Sequence, residues 1–447
     1  MSRTEEKIKI SKQIKRYAKI SGVVGGLATK MAGKKYLGLS YDKNKHAMKL
    51  TKALGNIKGP LMKVAQLTAT IPDILPSEYV KELAELQSNA PPMGWLFVKR
   101  RMTRELGNNW HSNFKHFSKE AYKAASLGQV HKAKLNNNSL VACKLQYPDM
   151  TSAIKADLTQ LNLIFSIYQS YNKAIKTDQI YKEVNERLLE ELNYIREMQT
   201  MNIFRLIFSN KNYVHIPEVY KKFSTDRLLT MSFFDGKHLL EFKNKSLKVR
   251  NSIAKNMFLT WYLPFYKYGI IHGDPHLGNY TIRDDLSINL FDYGCVRYFK
   301  GIFIKGVIDL YNALVNNDMD KAVNAYEQWG FKNITKAKLE VLNKWANFVY
   351  SPLMTDKIQK IQENSSGVYG AKVASEVHRE LRKLGGVQPP REFVFMDRAA
   401  VGLGSVFMHL KAELNWYKIF NELIQDFSVD DVDLRQQKTL KVTGLSL

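Results

Sequence analysis

The chain has 447 residues, 45% of them hydrophobic and 11% aromatic, enough for a sizeable core and a length that suggests two to three structural units. Its 67 Lys and Arg against 42 Asp and Glu give a net charge of +25, and its two cysteines, Cys143 and Cys295, exclude a disulfide framework and a zinc-ligand spacing, which fits a reducing compartment. No run of about 18 uncharged apolar residues occurs, so no spanning helix is expected, and the amino terminus lacks the apolar stretch of a secretory signal.

Residues 1–60 carry fifteen Lys and Arg against three Asp and Glu, a net of +12, so about half the excess charge sits there. Within them, "EKIKISKQIKRYAKISGVVGG" sets Ile10, Ile14, Tyr17 and Ala18 at helical spacing among lysines. This basic amphipathic helix suits an anionic lipid surface, or docking onto the protein's own core; residues 1–50 are taken as an extension. Residues 51–118 read as helical segments interrupted at Pro60, Pro72, Pro76 and Pro91-Pro92.

A strand-rich region follows, from 119 to 240. "ASLGQVHKAKL", "NNNS" and "LVACKLQY" read as two strands around a polar turn. The pattern is helical from about 150 to 205, and "RLLTMSFFDG" is a strand running into a turn. Residues 241–447 read as largely helical, broken once by a short strand pair. There, "MFLTWYLPFYKYGII" is a core helix interrupted by Pro264 and Lys267.

The stretch "HGDPHLGN" (272–279) carries the densest chemistry. It is either a metal-binding histidine box, with His272, Asp274 and His276 as ligands, or the catalytic loop of a phosphoryl-transfer enzyme. After Asn279 come "YTIR", the turn "DDLS" and "INLFDYG", a hairpin whose antiparallel strands put Asn279 and Asp292 at one end, with Asp274 in the loop before it. Phosphoryl transfer needs oxygen ligands for Mg²⁺, which Asn279 and Asp292 supply, and a carboxylate beside the attacking group, which Asp274 supplies. The spacing from Asp274 to Asn279 matches D-x-x-x-x-N, and Asp292-Tyr293-Gly294 matches D-F-G with a conservative aromatic swap. A histidine box leaves Asp292 and the hairpin unexplained, so the phosphotransferase reading is preferred and His276 is expected to be structural. "VACK" offers Lys144 as the strand lysine for the nucleotide phosphates, and Glu190, Glu191 and Glu197 follow on a helical stretch. No glycine-rich phosphate loop precedes Lys144, since alanines and Ser126 stand where glycines are expected, and no A-P-E follows the D-Y-G.

These motifs, with "KVAQLTATIPDILPSEYVKELAELQSNAPPM", "EELNYIRE" and "FVFMDRAAVGLGSVFMHLKAELNW", resemble in their order the UbiB/AarF family of atypical protein-kinase-like proteins, over roughly residues 50 to 420. The resemblance implies an α+β fold, bilobal and protein-kinase-like, with an added N-terminal helical extension and a mostly helical C-lobe. It implies ATP and Mg²⁺ as cofactors, an ion pair of Lys144 with Glu197 on the phosphates, Asp274 in the catalytic loop, and Asn279 and Asp292 on the metal. Nucleotide contacts are expected from Ala124, Ala125 and Ser126 of an alanine-rich loop, from Lys144, and from Ser232 and Phe233. Lys63 and Gln66, three apart, fall on the family's KxGQ helix, which covers the place where a kinase takes a peptide, with Glu191 facing that helix and Glu197 pointing elsewhere on a continuous helix. The chain departs from the family at Ala65 (Gly), Asn193 (Asp), Lys123 (Ala) and Leu277 (Pro).

The function so implied is that of a Mg²⁺-dependent ATP-binding kinase or ATPase supporting isoprenoid-quinone or other lipid metabolism at a membrane surface. Its partners would be a nucleotide, an anionic lipid or membrane surface, and a lipid or quinone-precursor acceptor, with no nucleic acid. The expected location is cytoplasmic and peripheral on the inner membrane face, mitochondrial in a eukaryote. Alternatives are a small-molecule kinase of the aminoglycoside-phosphotransferase kind and a nucleotide-binding scaffold without catalysis.

Overall fold

In the computed structural model, Trp95–Leu106 forms helix α1, whose fully buried Val98 and Met102, four apart, mark its inner face. Arg101 is buried beside them because its guanidinium is occupied: Nε donates to the Gln146 carbonyl at 3.0 Å and Nη1 to Glu105 at 2.8 Å. The structure describes residues 92–125, 127–155, 158–159, 185–186, 188–362, 373, 376–377, 379–381, 383–385 and 391–446. The basic extension 1–50, Lys63, Ala65, Gln66 and Ser126 lie outside the described residues.

Strands β1 (Phe114–Phe117), β2 (Lys123–Ala124), β3 (Gly128–Leu135) and β4 (Leu140–Gln146) form an antiparallel array in which β3 is flanked by β1 and β4, and β2 pairs with the start of β3. The expected two strands and polar turn are present. Asn138 takes a left-handed conformation (φ 67°), which asparagine tolerates, and the Leu135 N–H closes the turn on the Ser139 carbonyl at 2.9 Å. Along β3, after the buried Gly128, the buried positions are Gln129, His131, Ala133 and Leu135, with Val130, Lys132 and Lys134 between them more exposed, the alternation of a half-buried strand. Strand β1 lies inside the stretch read as helical from 51 to 118. At four residues its alternation is too short to register, and it is held by aromatic contacts, with Trp110 edge-on to Phe117 at 5.3 Å.

The described chain divides into two compact units, one ending at Asn193 but including Asp226–Leu228, the other comprising Tyr194–Thr225 and the residues from Leu229 onward.

The second unit opens with α2 (Tyr194–Ile207) and β5 (Val214–His215); β6 (Leu228–Ser232) continues into it and ends with the Ser232 N–H on the Glu218 carbonyl. Helix α3 (Leu247–Tyr268) is capped by the Ser246 hydroxyl and runs through Pro264 without stopping; it ends at Gly269, in the left-handed conformation (φ 63°) that favours glycine. Next come β7 (Ile270–His272), β8 (Tyr280–Ile282), β9 (Ile288–Leu290) and β10 (Val296–Tyr298), then helices α4 (Gly301–Val315), α5 (Met319–Gln328) and α6 (Lys336–Tyr350). The chain closes with β11 (Gln359–Lys360), α7 (Arg391–Leu410), β12 (Glu413–Leu414), α8 (Trp416–Ile424) and α9 (Val429–Thr443). Instead of one strand pair, the described residues of this half form three antiparallel ones, β7–β10, β8–β9 and β11–β12, and β5 adds to β9 in parallel. Strands of two or three residues carry too few alternations to be distinguished from the helices beside them. Among the described residues no helix is long and apolar enough to cross a membrane.

Helix α9 secures the floor of this unit with polar groups. The buried Gln436 amide donates to the carbonyls of Tyr268, Gly269 and Phe299 at 3.0–3.1 Å, and Asp433 accepts from the Gly301 N–H at the start of α4 at 2.6 Å. Replacing Gln436 with Leu keeps the volume and strands the Tyr268 and Phe299 carbonyls, so it should destabilise the protein by roughly 2–4 kcal/mol. Thermal unfolding of the variant checks this, and an unchanged midpoint would show that these bonds contribute nothing net.

Candidate active site

The two loops that the sequence singles out are brought together by nested strand pairs. Strand β7 pairs with β10, with His272 opposite Val296, and β8 pairs with β9 inside them, with Tyr280 opposite Leu290. The loop after β7, residues 273–279, and the loop after β9, residues 291–295, therefore leave the same end of the two pairs. Backbone bonds tie them at both margins: the Gly273 N–H donates to the Cys295 carbonyl and the Phe291 N–H to the Asn279 carbonyl, both at 2.7 Å.

Inside that frame the polar side chains have assigned directions. The Asn279 amide nitrogen donates to the Asp274 carbonyl at 3.1 Å and to its carboxylate Oδ2 at 3.0 Å, which turns the Asn279 Oδ1 away from Asp274. Asp292 adopts a left-handed conformation (φ 56°), which aspartate visits more readily than most residues, and its Oδ1 accepts from the Gly294 N–H at 3.3 Å. Its side chain is exposed, while Asp274 and Asn279 are half-buried.

His272 is fully buried and has both ring nitrogens committed. Nε2 meets the Asp292 carbonyl at 2.6 Å and Nδ1 meets the Asp274 N–H at 3.3 Å. A carbonyl can only accept and an amide can only donate, so the ring is neutral and protonated on Nε2. That leaves no lone pair for a metal and removes the histidine box as a reading. His276 is likewise a turn residue, its Nδ1 accepting from the Gly278 N–H at 3.1 Å. Around His272 stand Trp261, whose indole N–H donates to the His272 carbonyl at 3.0 Å, and Tyr293, edge-on at 5.9 Å. The Tyr293 hydroxyl donates to the Leu290 carbonyl at 2.9 Å, so the tyrosine in place of phenylalanine is satisfied although buried.

Glu197 is buried on α2. Burial, then the charges of Glu197 and Asp292, push the Tyr293 phenol well above its ordinary range, which places Glu197 in the surroundings of the D-Y-G segment. Glu191 does not share its helix: α2 begins at Tyr194, and Glu191 sits in a turn where the Asn193 N–H bonds the Glu190 carbonyl at 2.9 Å. The expectation of one continuous helix bearing both glutamates is corrected. That turn is held by the Gln146 amide, which donates to the Leu192 carbonyl at 2.9 Å.

In the first unit, Lys144 is half-buried on β4 between the fully buried Cys143 and Leu145, opposite Val130 of β3. Ala124 pairs with Gln129, and the Ala125 N–H donates to the Gly128 carbonyl at 2.8 Å, so the alanine-rich segment is the tip of the tight β2–β3 hairpin. Ser232 and Phe233, both half-buried, follow at the end of β6. Asp292 and Asn279 offer one carboxylate and one amide oxygen, hard donors that suit Mg²⁺ when phosphate and water complete its shell. Four residues outside the predicted set shape these regions: His272 as a brace between the loops, Trp261 beside it, and Gln129 and His131 on β3. Polar residues on the buried face of a strand were the available signal for the last two.

A family model described as the ABC1 atypical kinase-like domain matches residues 85–326. Among curated proteins, the chain is similar to Activity of BC1 Complex Kinase 7, chloroplastic, of Arabidopsis thaliana, with 33% identity over 270 residues covering 59% of this chain and 39% of the relative. It is 27% identical over 258 residues to the mitochondrial atypical kinase COQ8 of Saccharomyces cerevisiae, covering 57% of this chain and 52% of that one. The chain thus spans about half or less of these two relatives. Among solved structures, a Mycobacterium tuberculosis protein in complex with erythromycin superposes with a TM-score of 0.58 at 23% identity, over 85% of this chain and 96% of that one, and shows the shared fold. With more than half its length matched, from the region of α1 through the D-Y-G loop to α5, the chain belongs to the ABC1 family of atypical kinase-like proteins, the UbiB-type group that includes COQ8.

Proposed function

We propose that the protein is a Mg²⁺-dependent ATP-binding phosphotransferase or ATPase of the UbiB type, acting in isoprenoid-quinone or other lipid metabolism at a membrane surface. The observation that carries this reading is the pair of bonded loops that align Asp274, Asn279 and Asp292 at one end of nested strand pairs. Asn279 Oδ1 and the Asp292 carboxylate would hold Mg²⁺, which supplies neutralisation of phosphate charge when bound. Asp274, its Oδ2 held by Asn279, would orient the attacking hydroxyl or water and take its proton. Lys144 would hold the α- and β-phosphates, with Glu197 as the acid assigned to it by the family pattern. Ala124 and Ala125 would approach the nucleotide through a backbone bearing Cβ groups, in place of the usual glycines. Ser232 and Phe233 would line its base.

Asn at position 292 keeps the tolerance for left-handed backbone and the bond to Gly294, so Asp292→Asn removes charge while leaving the fold. It should lower Mg²⁺-ATP affinity and turnover by about two orders of magnitude with little change in melting temperature. Equal affinity in the two proteins would sink the metal assignment.

His272→Phe preserves the aromatic packing but strands a carbonyl and an amide. Stability should fall by roughly 2–4 kcal/mol, and Mg²⁺-ATP affinity should fall with it because Asp292 is no longer held. Reduced stability with unaltered affinity would make His272 a packing residue alone.

The membrane part of the proposal rests on residues 1–35, with ten Lys and Arg, each worth about 1 kcal/mol near an anionic surface before screening. Binding to anionic vesicles should be strong at low salt and fade as salt rises. Equal binding to neutral vesicles would contradict it.

A further inference from the structure

Two polar residues occupy the buried face of β3, where the alternation calls for apolar ones: Gln129 and His131 are both fully buried. Their bonds form a chain in which each link fixes the next. The Gln129 Oε1 accepts from the Met93 N–H at 2.7 Å, and its Nε2 donates to the carbonyl of the same residue at 3.0 Å. A backbone N–H and a backbone C=O cannot exchange roles, so the amide cannot flip. Its second Nε2 hydrogen then points at His131 Nε2, 2.9 Å away, which must accept. The imidazole is therefore neutral and protonated on Nδ1, which donates to the Ser118 carbonyl at 2.9 Å. Burial, acting against the backbone carbonyls of Ser118 and Glu120, lowers the ring's pKa and favours this neutral form; Phe117 stacks on the ring at 5.5 Å, and Cys143 lies opposite in register.

The two ends of this chain of bonds matter. Met93 lies just before α1, two residues ahead of Trp95. Ser118 opens the connection from β1 to β2, which lies along β3 through the Ser118 N–H on Lys132 and the Tyr122 N–H on Val130 and leads directly to Ala124 and Ala125. Gln129 itself is the register partner of Ala124.

We propose that Gln129 and His131 are a positioning relay: they transmit the placement of Met93, at the head of α1, to the alanine-rich hairpin, and thereby set nucleotide affinity from outside the nucleotide site. The consequence for affinity rests on the reading of Ala124 and Ala125 as nucleotide contacts; the coupling between Met93 and the hairpin does not.

Amide hydrogen exchange on the full chain tests the coupling, with Gln129→Leu, which removes every bond of the Gln129 side chain and leaves only that of His131 to Ser118, and Gln129→Glu. The glutamate keeps an acceptor for the Met93 N–H but has no hydrogen for the Met93 carbonyl or His131. In both variants the amides of Tyr122 and Ala125 should exchange roughly ten-fold faster, and that of Met93 should follow in Gln129→Leu, while β4 amides paired to β3 stay protected. Mg²⁺-ATP affinity should fall several-fold in both. Nitrogen NMR should find His131 protonated on Nδ1 in the unmodified protein, and its pKa should rise in Gln129→Glu, where a carboxylate faces Nε2. Faster exchange at Met93 alone, equal loss of protection along all of β3 and β4, or an Nε2-protonated His131 in the unmodified protein would each overturn the relay. If the unmodified protein binds no nucleotide, the proposed function fails, and the exchange pattern at Tyr122 and Ala125 still decides the coupling.

Discussion

The ring of His272 bonds the backbone on both sides of the candidate chemistry: the Asp292 carbonyl through Nε2 and the Asp274 N–H through Nδ1. Because one partner can only accept and the other only donate, these bonds hold the ring in a single neutral tautomer. Asp292 is a non-glycine residue in left-handed backbone, a conformation that persists where surrounding bonds over-determine it. The His272 contact is one such bond, the Asp292–Gly294 turn a second, and the Gly273–Cys295 backbone link a third. The exposed carboxylate is thus mounted on a constrained backbone, which is what a metal ligand requires if its position is not to be reached at an entropic cost on binding.

The surrounding core is organised to protect that arrangement. Trp261, fully buried at mid-helix on α3, packs edge-on against His272 and bonds its carbonyl, while Phe204 of α2 and Tyr293 close other sides of the ring. On the loop itself, Pro275 is buried against Gly402 of α7, where a Cβ would overlap the proline ring. That gives a physical reason for a glycine inside "DRAAVGLGSVF": the helix approaches the 273–279 loop too closely for any side chain. The usual cost of a glycine in a helix, about 1 kcal/mol relative to alanine, is accepted in exchange for that contact.

Much of this was legible beforehand, and the reasons differ by residue. The hairpin joining Asn279 to Asp292 could be placed because two alternating runs flank an Asp-Asp-Leu-Ser turn, and antiparallel pairing then brings the two side chains to one end. The β3–β4 hairpin was legible for the same reason. The three residues of β7 and β10 were not, since nothing in "IIH" or "VRY" separates a short buried strand from the end of a helix. Glu191 was misplaced because "LLEELNYIRE" is helical in propensity throughout; the break before α2 is made by tertiary bonds, including Gln146 on Leu192, that no local signal announces. His272 enters the sequence reading only as a ligand in the rejected histidine-box alternative, because its role as a backbone brace depends on hydrogen-bond partners that no local pattern announces.

The two units solve the problem of polar groups in a core in the same way, and this bears on what kind of kinase-like protein this is. His272 in one and His131 in the other are both fully buried, both neutral, and both bonded at each ring nitrogen, but to opposite tautomers: Nε2 carries the proton in His272 and Nδ1 in His131. In each case the tautomer is dictated by backbone groups, directly at His272 and through the Gln129 amide at His131. Each ring sits beside a loop assigned to the chemistry, the D-Y-G loop or the alanine-rich hairpin. A glycine-rich phosphate loop moves easily because glycine leaves the backbone free; here the corresponding segment bears Cβ groups and is tied through Ser118 and Gln129 to the chain entering at Met93. Its freedom is therefore limited by the bonds of Gln129 to Met93 and of His131 to Ser118, which a glycine-rich segment held by its own backbone alone would not have.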